Sequence, residues 1–255
     1  MIGRRRFLAA AATLTAAACS PEPPGARGAA KDSATPTAAT LAATSTSTPA
    51  ATPAPVHLPG EVVHGPRNRP LVALTFHGEG SPALAEKILA VIERERAHAT
   101  ILAVGTWLDR AIADRITGAG HDLGNHTMHH LDISSMSTGQ ARREIEECAD
   151  RLHRLTGSIG SWFRQSASRH ATPVVRDLAA RAGYRTCLSY DVDSLDYTDP
   201  GAAAISGNVL RAARPGSIVS LHLGHPGTLT ALPRILEGLH RRGLHAVTVS
   251  ELLAH

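Results

Sequence analysis

The sequence predicts an α/β fold, a parallel sheet curled towards a closed or nearly closed barrel with its helices outside. Two observations carry this. From Glu61 onward, short apolar and β-rich runs alternate with longer stretches of helical period, the pattern of parallel strands joined through crossover helices. The runs number seven, which suits a closed or nearly closed barrel, with an open doubly wound sheet as the alternative.

In chain order the expected strands are 71–76, 99–104, 121–125, 161–164, 184–190, 217–221 and 245–249. Between them, 82–96 places Leu84, Ile88, Val91 and Ile92 on one helical face, and 232–242 does the same with Leu232, Ile235, Leu236 and Leu239. Thr172-Pro173 opens a helix, and Gly183 and Gly243 close others. Ala141, Ile145, Cys148, Leu152 and Leu155 form a further stripe, on which a buried free thiol is ordinary. A disulfide between Cys148 and Cys187 stays open outside the cytoplasm.

The folded part, 61–255, is preceded by two segments of different character. MIGRRRFLAAAATLTAAACS has a basic head at Arg4–Arg6, an apolar stretch too short for a comfortable membrane span, and small residues before Cys19. Arg4-Arg5-x-Phe7-Leu8 resembles a twin-arginine export signal. Ala16-Ala17-Ala18-Cys19 resembles a lipoprotein cleavage box, so residues 1–19 are expected to be a signal ending at a lipidated, membrane-anchoring Cys19. Ordinary secretion with a cut nearby is the alternative. Residues 20–60, mostly Ala, Thr, Ser and Pro, bury too little apolar surface to offset ordering entropy and are expected to be a disordered linker. Removing the three signal arginines takes 26 basic residues to 23 against 22 acidic ones, a net charge of +1. No nucleic-acid partner is expected from that balance, despite a sequence pI of about 9.3.

The residues just past the strands point to chemistry. His77 follows the first, His126 and His130 the third, Arg164 ends the fourth, Asp191, Asp193 and Asp196 follow the fifth, and His222 the sixth. Parallel α/β folds gather their chemistry at the carboxyl ends of strands. Among 15 histidines, about one pair four apart arises by chance, so the joint placement carries the inference and no single spacing does.

On these residues the chain resembles the polysaccharide deacetylases, carbohydrate esterase family four, whose NodB-homology domain is a distorted (β/α)7 barrel. The likeness runs from Val72 to Leu253. His126-Thr127-Met128-His129-His130 matches the family's H-[ST]-x-x-H metal motif, Phe163-Arg164 begins its R-x-P motif, Asp196-Tyr197 stands for Asp-Trp, and Leu221-His222 matches Leu-His. The opening motif departs: against T-F-D-D-G, His77 replaces the base and Gly78 replaces a metal ligand. Ser166 stands where the family has proline, and Ala167 where it has an aromatic.

The resemblance implies a divalent metal, zinc by preference, held by His126 and His130. His77 is the expected third ligand with Glu79 as base; the reverse division is the alternative. The Ala167 amide is expected to hold the oxyanion, His222 oriented by Asp196 to protonate the leaving amine, and Tyr197 to meet the substrate. Arg164, without its aspartate partner, is expected to hold Glu79. The implied activity is removal of N-acetyl groups from a polysaccharide, peptidoglycan or chitin-like. The alternatives are a non-catalytic glycan-binding descendant and a hydrolase of another amide or ester.

Overall fold

The computed structural model describes residues 60–254. The expected signal with Cys19 and nearly all of the linker lie outside the described residues. The chain runs β1 (Glu61–Val62), β2 (Leu71–Gly78), α1 (Pro82–Arg94), β3 (Thr100–Ala103), α2 (Arg110–Gly118), β4 (Asp122–Asn125), α3 (Thr138–Thr156) and α4 (Pro173–Arg181). It continues through β5 (Cys187–Leu188), β6 (Val192–Asp193), α5 (Ala202–Ala212), β7 (Ile218–His222), α6 (Pro226–Arg241), β8 (His245–Val247) and α7 (Val249–Leu253).

β2 is the hub. Its Val72–Phe76 stretch is buried on both faces, as a central parallel strand must be, and it pairs in parallel with β3, β7 and β8. The sheet runs β4-β3-β2-β7-β6, and β1 pairs with β5. Phe163 bridges Asn125 on one side and Cys187 on the other, while His64 bridges Ser217, so the ring is carried round by single residues rather than full strands. That is the distortion of the barrel. Helices cover its outside: α1 buries Ala85, Ile88, Leu89 and Ile92, and α3, opened by a Ser137/Gln140 capping box, buries Ile145, Cys148 and Leu152.

Three expected elements differ. The strand at 161–164 contracts to Phe163, although the Asn125 N–H still reaches Trp162 O at 2.7 Å and the Leu188 N–H reaches Phe163 O at 2.8 Å. The strand at 184–190 splits into β5 and β6 because the chain changes partner. The Ser189 N–H bonds Val62 O at 2.7 Å, and two residues on Asp191 accepts the Ile218 N–H at 2.8 Å. α6 begins at Pro226, well before 232, and runs through Pro233; burial of Leu232, Ile235, Leu236 and Leu239 holds it together despite one missing N–H.

Cys148 and Cys187 are free and buried, and burial pushes both thiols up to about 12. Among the described residues no helix is long and apolar enough to cross a membrane.

Candidate active site

Parallel register sets His77 at the end of β2 directly opposite His222 at the end of β7. His126 and His130 come from the turn after β4, whose shape is written in its side chains. Asn125 accepts the Thr127 N–H through Oδ1 at 2.8 Å, and its Nδ2 donates to Ile145 O at 2.9 Å. The Thr127 hydroxyl accepts the His130 N–H at 3.2 Å and meets Ser166 Oγ at 3.2 Å, while Ser166 donates to Leu131 O. Thr127 and His130 both have positive φ, 69° and 58°, a strained fold of the chain that brings both rings to one side.

The three imidazoles converge. His77 Nδ1 lies 3.1 Å from His126 Nε2, and His130 Nε2 lies 3.1 Å from the same atom; one nitrogen from each ring falls within 4.8 Å of the others. Nitrogens bonded to one tetrahedral zinc stand about 3.3 Å apart, so the set fits such an ion. Two of the three outer nitrogens are held as a metal site requires. His126 Nδ1–H donates to Arg164 O at 2.9 Å, and His130 Nδ1 lies 3.2 Å from Glu79 Oε2. Burial first, then the neighbouring imidazoles, push His77 and His126 well below the usual histidine range and keep both neutral, the form that ligates.

Arg164 is placed differently from expectation. It does not hold Glu79, which pairs with His130. Its guanidinium, fully buried, donates to Thr75 Oγ1 at 2.9 Å, Leu188 O at 3.1 Å, Ser189 O at 3.0 Å and His77 Nε2 at 3.1 Å. Burial lowers it to about 10, so it stays charged at neutral pH. Since a guanidinium only donates, His77 Nε2 accepts and the ring proton of the metal-free state belongs on Nδ1. Gly78 is explained by packing: a Cβ there would lie 2.7 Å from Cζ3 of Trp107, whose indole fills the space a side chain at 78 would need.

Opposite the imidazoles, His222 Nδ1–H donates to Asp196 Oδ1 at 2.6 Å, and Asp196 Oδ2 accepts the His222 N–H at 2.8 Å. Asp196 is fully buried. Burial alone would raise its carboxyl, but the bonds from His222 and from the Thr228 hydroxyl outweigh it and hold the group below its ordinary range. Two other acids of the expected cluster lie elsewhere: Asp191 pairs with Arg67 at 2.8 Å, and Asp193 caps the Leu195 N–H at 2.9 Å. His129 turns away to Glu144.

A cavity of about 320 Å³ opens against these groups, lined by His77, His130, Ala167, Tyr197 and His222 together with Ser220, Gln165, Ser168, Arg169 and Tyr190. The structure thus brings His77, His126, His130, Arg164, Asp196 and His222 together, sets Ala167 and Tyr197 on the cavity wall, and leaves Glu79 on the outer side of His130. Ser220 and Thr228 were missed by sequence reasoning. Strand period two places Ser220 on the face of His222, its Oγ 3.4 Å from His77 Nε2, so it could have been read; Thr228 could not, since α6 was started too late.

A family model, polysaccharide deacetylase, matches residues 64–187. A peptidoglycan-N-acetylglucosamine deacetylase of Bacillus cereus is 30% identical over 203 residues, 74% of this chain and 91% of its own length. A chitooligosaccharide deacetylase of Rhizobium leguminosarum bv. phaseoli is 30% identical over 208 residues, 73% of this chain and 90% of its own. The crystal structure of a peptidoglycan N-acetylglucosamine deacetylase superposes with a TM-score of 0.71 at 26% identity, covering 76% of this chain and 92% of that one. A CE4 family pseudoenzyme from Bacillus anthracis superposes with 0.72 at 23% identity over 77% of this chain and 70% of its own, a likeness of fold alone. At this identity, over nine-tenths of the length of both relatives, the chain belongs to the polysaccharide deacetylase family.

Proposed function

We propose that the protein is an exported, metal-dependent hydrolase that removes N-acetyl groups from a cell-wall polysaccharide, anchored at the outer face of the membrane through Cys19. The observation that carries this is the meeting of three imidazole nitrogens, from β2 and the turn after β4, with a His222–Asp196 pair across one cavity. A binding protein has no physical use for that pairing. His77, His126 and His130 would hold the ion, zinc by the chemistry of the donor set. When bound, the ion supplies Lewis acidity to the acyl oxygen and to a water.

The chain's own residues supply the rest. Glu79 has one oxygen against the outer nitrogen of His130 and does not line the cavity, so to take the proton of the attacking water it must turn from His130 towards the imidazoles. The Ala167 N–H, presented from a residue with φ of 57° on the cavity wall, donates to the developing oxyanion. His222, with Nδ1–H fixed on Asp196, delivers a proton from Nε2 to the leaving nitrogen. Arg164 positions rather than reacts: its carbonyl orients His126 and its guanidinium orients His77.

Metal analysis of the purified protein, run beside acetate release from chitooligosaccharide and from peptidoglycan, tests the reading. Zinc with acetate is expected. A second reading has an observation of its own: Arg164 places a proton on the ligand nitrogen of His77, and both first-motif carboxylates are gone. A glycan-binding, non-catalytic protein would retain neither metal nor acetate release while still binding glycan. Zinc at wild-type occupancy in His77→Ala refutes His77 as a ligand under either reading.

A further inference from the structure

The barrel has two ends, and their charges differ. Each crossover helix carries the chain back from the carboxyl end of one parallel strand towards the start of the next, so helix C-termini gather at the base, opposite the cavity. Arg94, Arg115, Arg181, Arg211 and Arg241 stand in the last turns of α1, α2, α4, α5 and α6. A cation there complements the helix dipole, which accounts for one per helix. It does not account for Arg96, Arg185 and Arg214, exposed beyond their helices and without an ion pair among the described residues. Acids at this end are paired: Glu93 with Arg115, Glu95 with Arg94 and Asp191 with Arg67.

Contacts tie neighbouring parts of this array together. Arg242 donates to Leu210 O at 2.7 Å and to Ala213 O at 2.6 Å, joining the ends of α6 and α5, and Arg67 donates to Pro215 O at 2.9 Å. At the mouth the balance is reversed. Glu79, Asp109, Asp132, Asp193 and Asp199 stand in the loops after the strands, against Arg169 as the exposed arginine. The chain enters the described domain at the base as well. β1 runs parallel to β5, so Gly60 and Glu61, where the linker expected over 20–60 ends, lie on the side away from the cavity.

We propose that the base of the barrel rests on anionic phospholipid headgroups and so points the cavity away from the bilayer, towards the wall. The pointing rests on the proposed anchoring at the outer face of the membrane; the affinity of the base for lipid does not. The attraction of basic residues to anionic lipid adds residue by residue and falls off within a Debye length, so an array spread over one end of the domain both holds and orients it. The cavity at this end, about 330 Å³, carries Glu95 and Glu237 in its wall. These oppose a polyanion strand lying there, and a broad lipid surface fits the array better.

The test uses the full chain carrying Cys19→Ser, so that no lipid on the protein contributes, with vesicles of phosphatidylcholine alone or mixed with phosphatidylglycerol. Residues 1–18 are common to every variant, so differences between variants report the folded domain. Arg211→Gln with Arg214→Gln should weaken co-sedimentation with the anionic vesicles about tenfold or more, and added salt should weaken it further. Arg142→Gln with Arg143→Gln, an equal loss of charge near the start of α3, should weaken it about twofold or less. Neither pair should change acetate release from a soluble chitooligosaccharide. A fluorophore on Ala212→Cys, at the base, should be quenched by brominated phosphatidylglycerol, and one on Thr106→Cys, after β3 at the mouth, should not. Cys148 and Cys187 are buried and stay unlabelled. Unchanged binding in the Arg211/Arg214 pair overturns the proposal, as do equal losses from the two pairs, equal quenching at the two ends, or quenching that ignores lipid charge. Soluble poly(glycerol phosphate) that binds more tightly than the vesicles at matched phosphate concentration also overturns it and makes the base a polymer site. An unlipidated Cys19 in protein isolated from its own cells overturns the proposed anchoring and leaves the affinity of the base for lipid standing.

Discussion

One residue, Arg164, governs the outer nitrogens of two of the three imidazoles, and a carboxylate governs the third. These contacts have opposite signs. The guanidinium on His77 Nε2 opposes a cation at Nδ1, whereas Glu79 on His130 Nδ1 makes that ring a stronger donor. Glu79→Gln should therefore lower zinc affinity by about 10–100-fold in a chelator competition; an unchanged affinity removes Glu79 from the ligand's support. His222→Ala should leave metal content alone and slow acetate release by about 10²–10⁴-fold, and equal loss of both would place His222 among the ligands instead. At this scale the sequence was legible where a single side chain ends a strand, as His77, His126 and His222 do. Partners were not legible. Whether Arg164 meets Glu79 or His77 depends on which face of the ring opening each loop takes, and no spacing along the chain encodes that.

At the scale of elements, β2 decides most of the site, because its register with β7 and β3 fixes where His77 stands. The apolar run 71–76 announced that strand, and the stripes of α1 and α3 announced their helices, since burial on one face leaves a periodic record. Phe163 and the split between β5 and β6 left none: a strand reduced to one bridging residue has no period to read. The end of β2 also carries a pair that acts as a unit. Gly78 is followed by Gly80, with φ of 83° and a Cβ position 2.5 Å from Gly224 Cα, so the β2 and β7 loops meet backbone to backbone. Trp107 packs where a side chain at 78 would sit. Gly78→Asp alone should cost about 1–3 kcal/mol by overpacking, read from denaturant midpoints. Combined with Trp107→Ala, the loss should be smaller than the sum of the two singles by about 1 kcal/mol or more. Simple additivity would mean that the indole and the glycine are not coupled.

For the whole molecule, the buried imidazoles make stability depend on pH in one direction. His77 and His126 sit well below the ordinary histidine range through burial and mutual repulsion, and His121, buried with both ring nitrogens unpartnered among the described residues, is also lowered by burial first and His98 second. A histidine whose folded value is depressed binds its proton more readily once unfolded. Below about pH 6.5 the unfolded chain therefore holds more protons than the folded one, and stability rises with pH. The metal-free protein should be at full stability above that value and lose it as pH falls, by at most about 1.4 kcal/mol per pH unit for each such histidine. Zinc competes with protons for His77 and His126, so the stabilisation it gives should be larger at pH 7.5 than at pH 5.5. Unfolding curves at a series of pH values, with chelator and with zinc, measure both effects. His77→Gln should flatten part of the metal-free slope and the zinc difference together, whereas His121→Gln should flatten only the former. A metal-free stability that stays level or climbs between pH 7 and pH 5 would mean that the imidazoles are solvated and charged, and the neutral, converging centre on which the ligand assignment depends would not exist.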